Sequence, residues 1–365
     1  VSIDGPRPQH AELGFYGLAD HTDSPRDLLD EVRTADDLGL GSVFLSERYS
    51  TKDAGVLTGA AAASSERIGV ATAATNHNTR HLLVTATTAV TAHRMSHGRF
   101  ALGLGRGFDV LFDLMNLPRI TSAQMTDAVD LLRRLWRGES IIDHDGPAGR
   151  FPFLRLQIDA DEDIPIVLVA IGDATLRLAG QIADGVVLHT FLTDDTVARQ
   201  VGVIRDAALR AGRDPGAIRI WSVLATVGDW VPEPDRTRRI VGRLATYLQG
   251  YGDLLVRTNG WDRQRLADFR ADERVQAFRG AFDADATPDD IAHLSALLPA
   301  EWTSAAATGS ATHCARRILD QFDAGVDSVI LHGATPVEIA PLLPAWSTLA
   351  PQKCARAVAN PGRLR

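Results

Sequence analysis

The segment from Glu66 to Asp109 constrains the fold more tightly than any other part of the chain. It holds two short apolar runs, Ile68 to Ala74 and Phe100 to Leu104, with no Asp, Glu, Lys or Arg in either. A strand with one wet face alternates polar and apolar residues. An unbroken apolar run suits a parallel strand covered on both faces. Between the runs lies a helical stretch, Arg80 to Arg94, long enough for the right-handed crossover that joins parallel strands. The unit is therefore βαβ. Each strand runs out into polar or glycine-rich residues, where α/β folds bind ligands.

The same alternation extends in both directions. Strands are expected at Leu13 to Leu18, Ser42 to Leu45, Ile166 to Ala170, Gly185 to Leu188, Ile218 to Val227 and Val326 to Leu331. Ser24 with Pro25 reads as the capped start of the first helix. Further helices are expected at Val56 to Ser64, Ser122 to Arg137, Asp194 to Ala211, Ser310 to Ala324 and Pro336 to Leu349. Eight strands, mostly alternating with helices, predict an α/β chain folded as a (β/α)8 TIM barrel with insertions. A doubly wound sheet is the alternative. Residues 1–365 read as one barrel domain, with an irregular excursion at 138–164, a helical insertion at 234–302 and a fraying tail at 351–365.

Charge narrows the partners. A net charge of −8, from 46 acids and 38 bases, implies no broad basic patch, so nucleic acid is not expected. No apolar run reaches membrane length and no signal pattern is seen, so no membrane partner is expected. Cys314 and Cys354 lie far apart and outside metal-ligand spacing, which fits a reduced, cytoplasmic protein.

In a barrel the strand ends share one mouth. Collecting them brings together Asp20, His21, Glu47, Arg48, Asn76, His77, Arg106, Asp109, Asp173, Thr175, His189, Asp229 and His332. Gly103-Leu-Gly105-Arg-Gly107 is not a dinucleotide fingerprint, because its third glycine comes too early. It either lets backbone approach a flat ring or phosphate, or is a simple tight turn. Gly172-Asp173-Ala174-Thr175, at a strand-to-helix junction, is either a phosphate cradle or plain helix capping. His77 and His81 have a zinc-compatible spacing, but His77 precedes the helix and no HExxH is present. No metal site is therefore expected.

Three blocks together resemble the bacterial luciferase-like monooxygenase superfamily. They are Arg67-Ile-Gly-Val-Ala-Thr72 through Ser96-His-Gly98-Arg99-Phe100 to Gly107, Ile164-Pro165 through Gly185, and Gly309-Ser-Ala-Thr-His through Gly325-Val326-Asp327. The chain looks most similar to the branch that uses the deazaflavin coenzyme F420. That resemblance implies an insertion-bearing barrel with the cofactor ring against strands two to four. It also implies a non-proline cis peptide near Ala71-Thr72, phosphate on Gly172 to Thr175, and a homodimer or higher homo-oligomer. The cofactor contacts it implies are Arg48, Ala71, Thr72, Asn76, Gly105, Arg106, Gly107, Gly172, Asp173, Ala174, Thr175 and His189. Arg48 or Arg106 would take the coenzyme's acidic tail or an anionic substrate.

The chain departs from the branch after strand two. Glu47 and Arg48 stand where an Asp-His pair is common, and arginine is no base at neutral pH. The acid common after strand four is replaced by the neighbourhood of Arg106 and Asp109. His21 and Glu47 are the acid/base candidates. The expected activity is hydride transfer between C5 of F420 and a small organic substrate. The alternatives are an FMN-dependent monooxygenase using reduced flavin and O2, and a non-catalytic flavin-binding barrel.

Overall fold

The computed structural model describes residues 8–19, 24–351, 354 and 357–364. In chain order come strands β1 (His10–Tyr16), β2 (Leu40–Leu45), β3 (Gly69–Thr72) and β4 (Phe100–Leu104), then β5 (Ile141–Gly146) and β6 (Gly149–Leu154). They are followed by β7 (Ile166–Val169), β8 (Gly185–Val187), β9 (Arg219–Gly228), β10 (Ala307–Gly309) and β11 (Ser328–His332). β1 pairs with β2 and β11, the order runs on through β3, β4, β7 and β8, and β8 pairs with β9. All these pairings are parallel and the ring closes. An open doubly wound sheet has no such closing pair, so the fold is a (β/α)8 barrel.

Side-chain volumes explain how the interior fills. Phe44, Ala71, Ala101, Val167, Val187, Trp221, Val223 and Ile330 form one buried cluster inside the ring. Phe44 and Trp221 meet edge-to-face at 4.9 Å and occupy most of the width. Their neighbours are correspondingly small. A Cβ on Gly14 would lie 2.8 Å from the Phe44 ring, and one on Gly103 only 1.7 Å from the Thr72 carbonyl oxygen.

Several expectations shift by a few residues. The first helix, Asp27–Asp37, has Arg26 rather than Ser24 at its cap position. The third strand ends at Thr72, two residues short of the apolar run, because the chain turns there through a cis peptide at Ala73–Ala74. The 138–164 excursion contains an antiparallel hairpin of β5 and β6. The helical reading of 234–302 matches the helices found from Glu233–Thr237 to Ala300–Thr303. β10 had no strand signal, being only Ala-Thr-Gly. It lies beside Thr226 to Gly228, the upper part of β9, where β8 pairs only Arg219 to Trp221. No helix among the described residues is long and apolar enough to cross a membrane.

The tail differs most. Residues 357–364 seal the bottom of the barrel instead of fraying. The reason is Arg219, fully buried at the start of β9. Its guanidinium donates to the carbonyls of Val358 (2.8 Å), Asn360 (2.9 Å), Arg363 (3.1 Å) and Ala11 (2.7 Å), and to Ser328 Oγ (3.0 Å). Its Cζ stacks 4.2 Å from the Trp221 ring, whose Nε1 donates to the Pro361 carbonyl at 2.8 Å. Asn360 Nδ2 donates to the carbonyls of Gly98 and Phe100 at 2.7 and 3.0 Å. A hydropathy pattern cannot show this, because the tail is held by its carbonyls rather than by an apolar face.

Replacing Arg219 with Met would strand these carbonyls without donors. Arg219→Met is expected to cost about 3–5 kcal/mol of stability, read as a lowered urea midpoint. Gly69→Ala would drive a Cβ to 1.9 Å from the Ala359 carbonyl oxygen and is expected to loosen the same segment, read as faster amide exchange at residues 357–364.

Candidate active site

The mouth divides into a wall of small residues, a charged hub behind it and an aromatic recess facing it. The wall follows β3 and β4. Thr75 N–H donates to the Gly103 carbonyl (3.0 Å) and Gly105 N–H to the Thr75 carbonyl (2.9 Å), which locks the two turns together. A Cβ on Gly105 would sit 2.9 Å from Ala74 Cβ, so the turns are in contact. Along these turns Ala73 and Gly105 are buried, Ala74 and Arg106 are half-buried and Gly107 is exposed. Ala71 lies inside the barrel, and the Thr72 hydroxyl is spent on the Gly103 backbone at 2.8 Å. The cis peptide expected at Ala71-Thr72 is two positions later, at Ala73–Ala74.

The hub is Glu47. Its carboxylate accepts from Arg80 Nη1 (2.5 Å), the Thr75 hydroxyl (3.0 Å) and the Ala54 N–H (3.1 Å). Arg80 also pairs with Asp53. Glu47 N–H donates to the Ala74 carbonyl at 3.2 Å. A carboxylate so fully engaged holds the β2 and β3 turns together and has little capacity left for a substrate proton. Asn76 is likewise consumed. Its Oδ1 accepts from the N–H groups of Asn78 and Thr79 (both 2.9 Å), and its Nδ2 donates to the Tyr49 hydroxyl (2.6 Å). Arg106 folds back onto Ser122 Oγ at 2.5 Å. Arg48 is exposed, and its side chain has no hydrogen bond or ion pair among the described residues. His21 lies outside the described residues.

Gly172 occupies the cap position of the helix Asp173–Ile182 with no side chain capping it. Neither Asp173 nor Thr175 therefore takes the capping part. Asp173 instead pairs with Arg199 at 2.9 Å and lies 4.0 Å from Arg177, so its charge is offset. In the first turn of this helix Ala174 is exposed, and the Thr175 N–H is already donated to the Gly172 carbonyl at 3.0 Å. Among the described residues no group of three or more His, Cys, Asp or Glu side chains is arranged to hold a metal ion.

The recess was missed apart from His189 and His332. Tyr16 ends β1, and Tyr247 and Tyr251 come from the helix Arg243–Asn259. The Tyr16 ring lies 4.9 Å from that of His332, and the His189 ring 5.0 Å from Tyr247 and 5.1 Å from Tyr251. Phe108, after the β4 turn, stacks on Tyr251 at 5.0 Å and 14°. Each tyrosine and histidine here is surrounded by protein yet keeps some accessible surface, as side chains lining a recess do. Burial raises the tyrosine pKa values and lowers that of His189 to about 4. A compositional signal was available. The chain has four tyrosines, and Tyr16, Tyr49, Tyr247 and Tyr251 all stand at this mouth.

Burial also lowers the pKa of His77, at the end of the wall, to about 4 from 6.5. Between those values the unfolded chain binds protons at His77 and His189 that the folded protein refuses. Stability is therefore fullest above pH 6.5 and falls as pH drops toward 4. Thermal midpoints measured across that window are expected to decline steadily on acidification, and His77→Gln to flatten the slope.

Comparison with known proteins agrees with this architecture. Residues 7–328 match the luciferase-like monooxygenase family. A 5,10-methylenetetrahydromethanopterin reductase of Methanolobus tindarius is 26% identical over 239 residues, 65% of this chain and 72% of the relative. An F420-dependent glucose-6-phosphate dehydrogenase of Beutenbergia cavernae is 31% identical over 186 residues, 47% of this chain and 55% of the relative. The solved coenzyme F420-dependent tetrahydromethanopterin reductase of Methanopyrus kandleri superposes with a TM-score of 0.74 at 20% identity, covering 92% of this chain and 99% of the other. That last likeness speaks for the fold, and the family match spans most of the sequence. The chain belongs to the luciferase-like monooxygenase family.

Proposed function

We propose that this chain is an oxidoreductase that uses the deazaflavin coenzyme F420 to exchange a hydride, at the ring's C5, with a small organic substrate. The observation that carries this reading is the side-chain-poor wall of Ala73, Ala74 and Gly105, on the same mouth as the uncapped helix end at Gly172. A flat ring needs the first and its phosphate the second. The F420 dependence named for the Beutenbergia cavernae relative supports the choice of cofactor. When bound, the coenzyme supplies the hydride chemistry. The chain's own contribution is to hold and orient. Gly172 to Thr175 would cradle the phosphate, Gly105 to Gly107 and the Ala73–Ala74 turn would face the ring, and exposed Arg48 would meet the acidic tail or an anionic substrate. Glu47 keeps the wall in place through Arg80 and Thr75 rather than exchanging protons.

The second reading, an FMN-dependent monooxygenase, is favoured by the description of the family itself. Titrating the protein with each cofactor separates the two. F420 is expected to bind at least about tenfold more tightly than FMN, a difference of about 1.4 kcal/mol. Tight FMN binding without F420 binding would reverse the order. Ala174→Glu puts a negative charge at the exposed helix end and is expected to weaken F420 binding by about tenfold or more while leaving the thermal midpoint nearly unchanged.

The chain is also proposed to act as a homodimer. The helices Ala54–Ala63 and Leu82–Met95 border a groove of about 510 Å³, lined by Gly55, Val56, Gly59, Leu83, Val84 and Thr87 among others. Val56 and Val84 are 72% and 52% exposed in the monomer, an apolar face that a second copy would cover. Val84→Glu is expected to shift the mass in solution, measured by light scattering, from dimer to monomer.

A further inference from the structure

The first residue of the helix Arg243–Asn259 carries a charge that the fold does not fully use. Arg243 is only 3% exposed. Its Nε donates to Asp283 Oδ2 at 3.3 Å, and its Nη2 donates to the carbonyl of Ala19, just beyond β1, at 2.9 Å. Its Nη1 has no acceptor among the described residues. A buried guanidinium ordinarily has its N–H groups matched, because a donor left unmatched away from water is costly. Nη1 lies against the end of β11. A Cβ on Gly333, the residue after that strand, would sit 2.8 Å from it. Gly333 follows His332, whose ring packs 4.9 Å from that of Tyr16. The charge of Arg243 acts on His332 and on Tyr247, one helical turn further along. The unmatched donor therefore belongs to the aromatic recess.

The recess also has a second donor to spare. The Tyr16 hydroxyl makes no hydrogen bond among the described residues, and burial holds the phenol protonated. His189 Nε2 is already taken by the Tyr251 hydroxyl at 2.8 Å. Exposed Arg48 adds a cation at the rim, acting on Tyr16, Tyr247, Tyr251 and His332. The other charges cancel. Asp283 offsets Arg243, and Glu31 offsets Lys52, whose Nζ donates to the Leu18 carbonyl at 3.2 Å. Among the described residues the recess is left with the single positive charge of Arg48. That charge matches one carboxylate and leaves a phosphate dianion only half neutralised. The rings of Tyr16, Tyr247, Tyr251 and Phe108 offer flat surface to the rest of such a molecule.

We propose that the recess is a carboxylate-binding site, in which Arg243 Nη1, the Tyr16 hydroxyl and Arg48 hold the carboxylate of an aromatic monocarboxylate substrate. The ligand's role as substrate rests on the F420 reading, which puts the cofactor ring on the wall facing the recess. Arg48 then serves the substrate rather than the acidic tail of the coenzyme. Its guanidinium and that of Arg243 supply charge-assisted hydrogen bonds from two sides of the recess, one at the rim and one at depth.

Calorimetric titration of the full chain, without added cofactor, tests the site. Benzoate is expected to bind with a Kd of about 1 mM or tighter, and benzamide, acetate and inorganic phosphate at least about tenfold more weakly. Benzamide lacks the charge, acetate lacks the ring, and phosphate carries a second charge. Arg48→Met, at an exposed side chain, is expected to weaken benzoate about fivefold or more and F420 by no more than about twofold. Arg243→Met alone would remove the cation beside Asp283, so it is made together with Asp283→Asn. The double variant is expected to lose about tenfold or more in benzoate affinity. Benzamide, acetate or phosphate binding as tightly as benzoate overturns the ligand class. Unchanged benzoate affinity in Arg48→Met overturns the site, even where the double variant does not fold. F420 binding without benzoate binding overturns this proposal and leaves the cofactor reading standing. Benzoate binding without F420 binding overturns the cofactor reading and the ligand's role as substrate, and the carboxylate site stands.

Discussion

The buried guanidinium of Arg219 is the constraint around which the barrel is built. A charge at that depth survives only if its hydrogens are matched, and they are matched almost entirely by backbone carbonyls. Burial nevertheless pushes its pKa down to about 9. The result is a closed base: β1, β9, β11 and residues 357–364 meet at one cation, with Trp221 stacked above it. Above that floor Phe44 and Trp221 fill the ring. The opposite end of the ring is the mouth, where the strands end.

The mouth is organised by opposite physical demands on its two sides. Under the proposed function the wall of β3 and β4 would have to be bare for a ring to approach, and its polar side chains are engaged elsewhere. Thr72, Asn76, Arg106 and Glu47 all make hydrogen bonds to neighbouring backbone or to the side chains of other residues. The facing recess is the reverse, crowded with phenols and imidazoles held neutral by burial. Arg48 lies close enough to influence Tyr16, Tyr247, Tyr251 and His332 electrostatically, which gives this otherwise neutral recess one positive edge.

How much of this was legible depends on the kind of signal involved. The barrel strands were readable because parallel strands covered on both faces leave unbroken apolar runs, as in β3 and β4. The positions of the glycine turn and of the helix end at Gly172 followed from strand-to-helix spacing. Side-chain roles did not follow. Glu47 and Asn76 read as site residues because they sit at strand ends. Only their partners, Arg80 and Tyr49, reveal that they are spent. Tyr247 and Tyr251 lie in the helical insertion, where a local pattern says helix and nothing about which β-strand the helix will cover. The tail was misjudged for a related reason: its anchor, Arg219, is 139 positions away from Val358.

That separation bears on how the chain is made. Synthesis runs from the N-terminus, and domains gain structure as they emerge. Arg219 leaves the ribosome well before Val358, Asn360 and Arg363 supply their carbonyls. Until then a nascent barrel that has already paired β9 with β8 holds a cation at its base matched on one side by the Ala11 carbonyl and still lacking the three carbonyls of the tail. The floor is thus laid after the ring it closes, and a nascent chain stalled short of residue 357 exposes a charged, water-admitting opening that residues 357–364 otherwise cover.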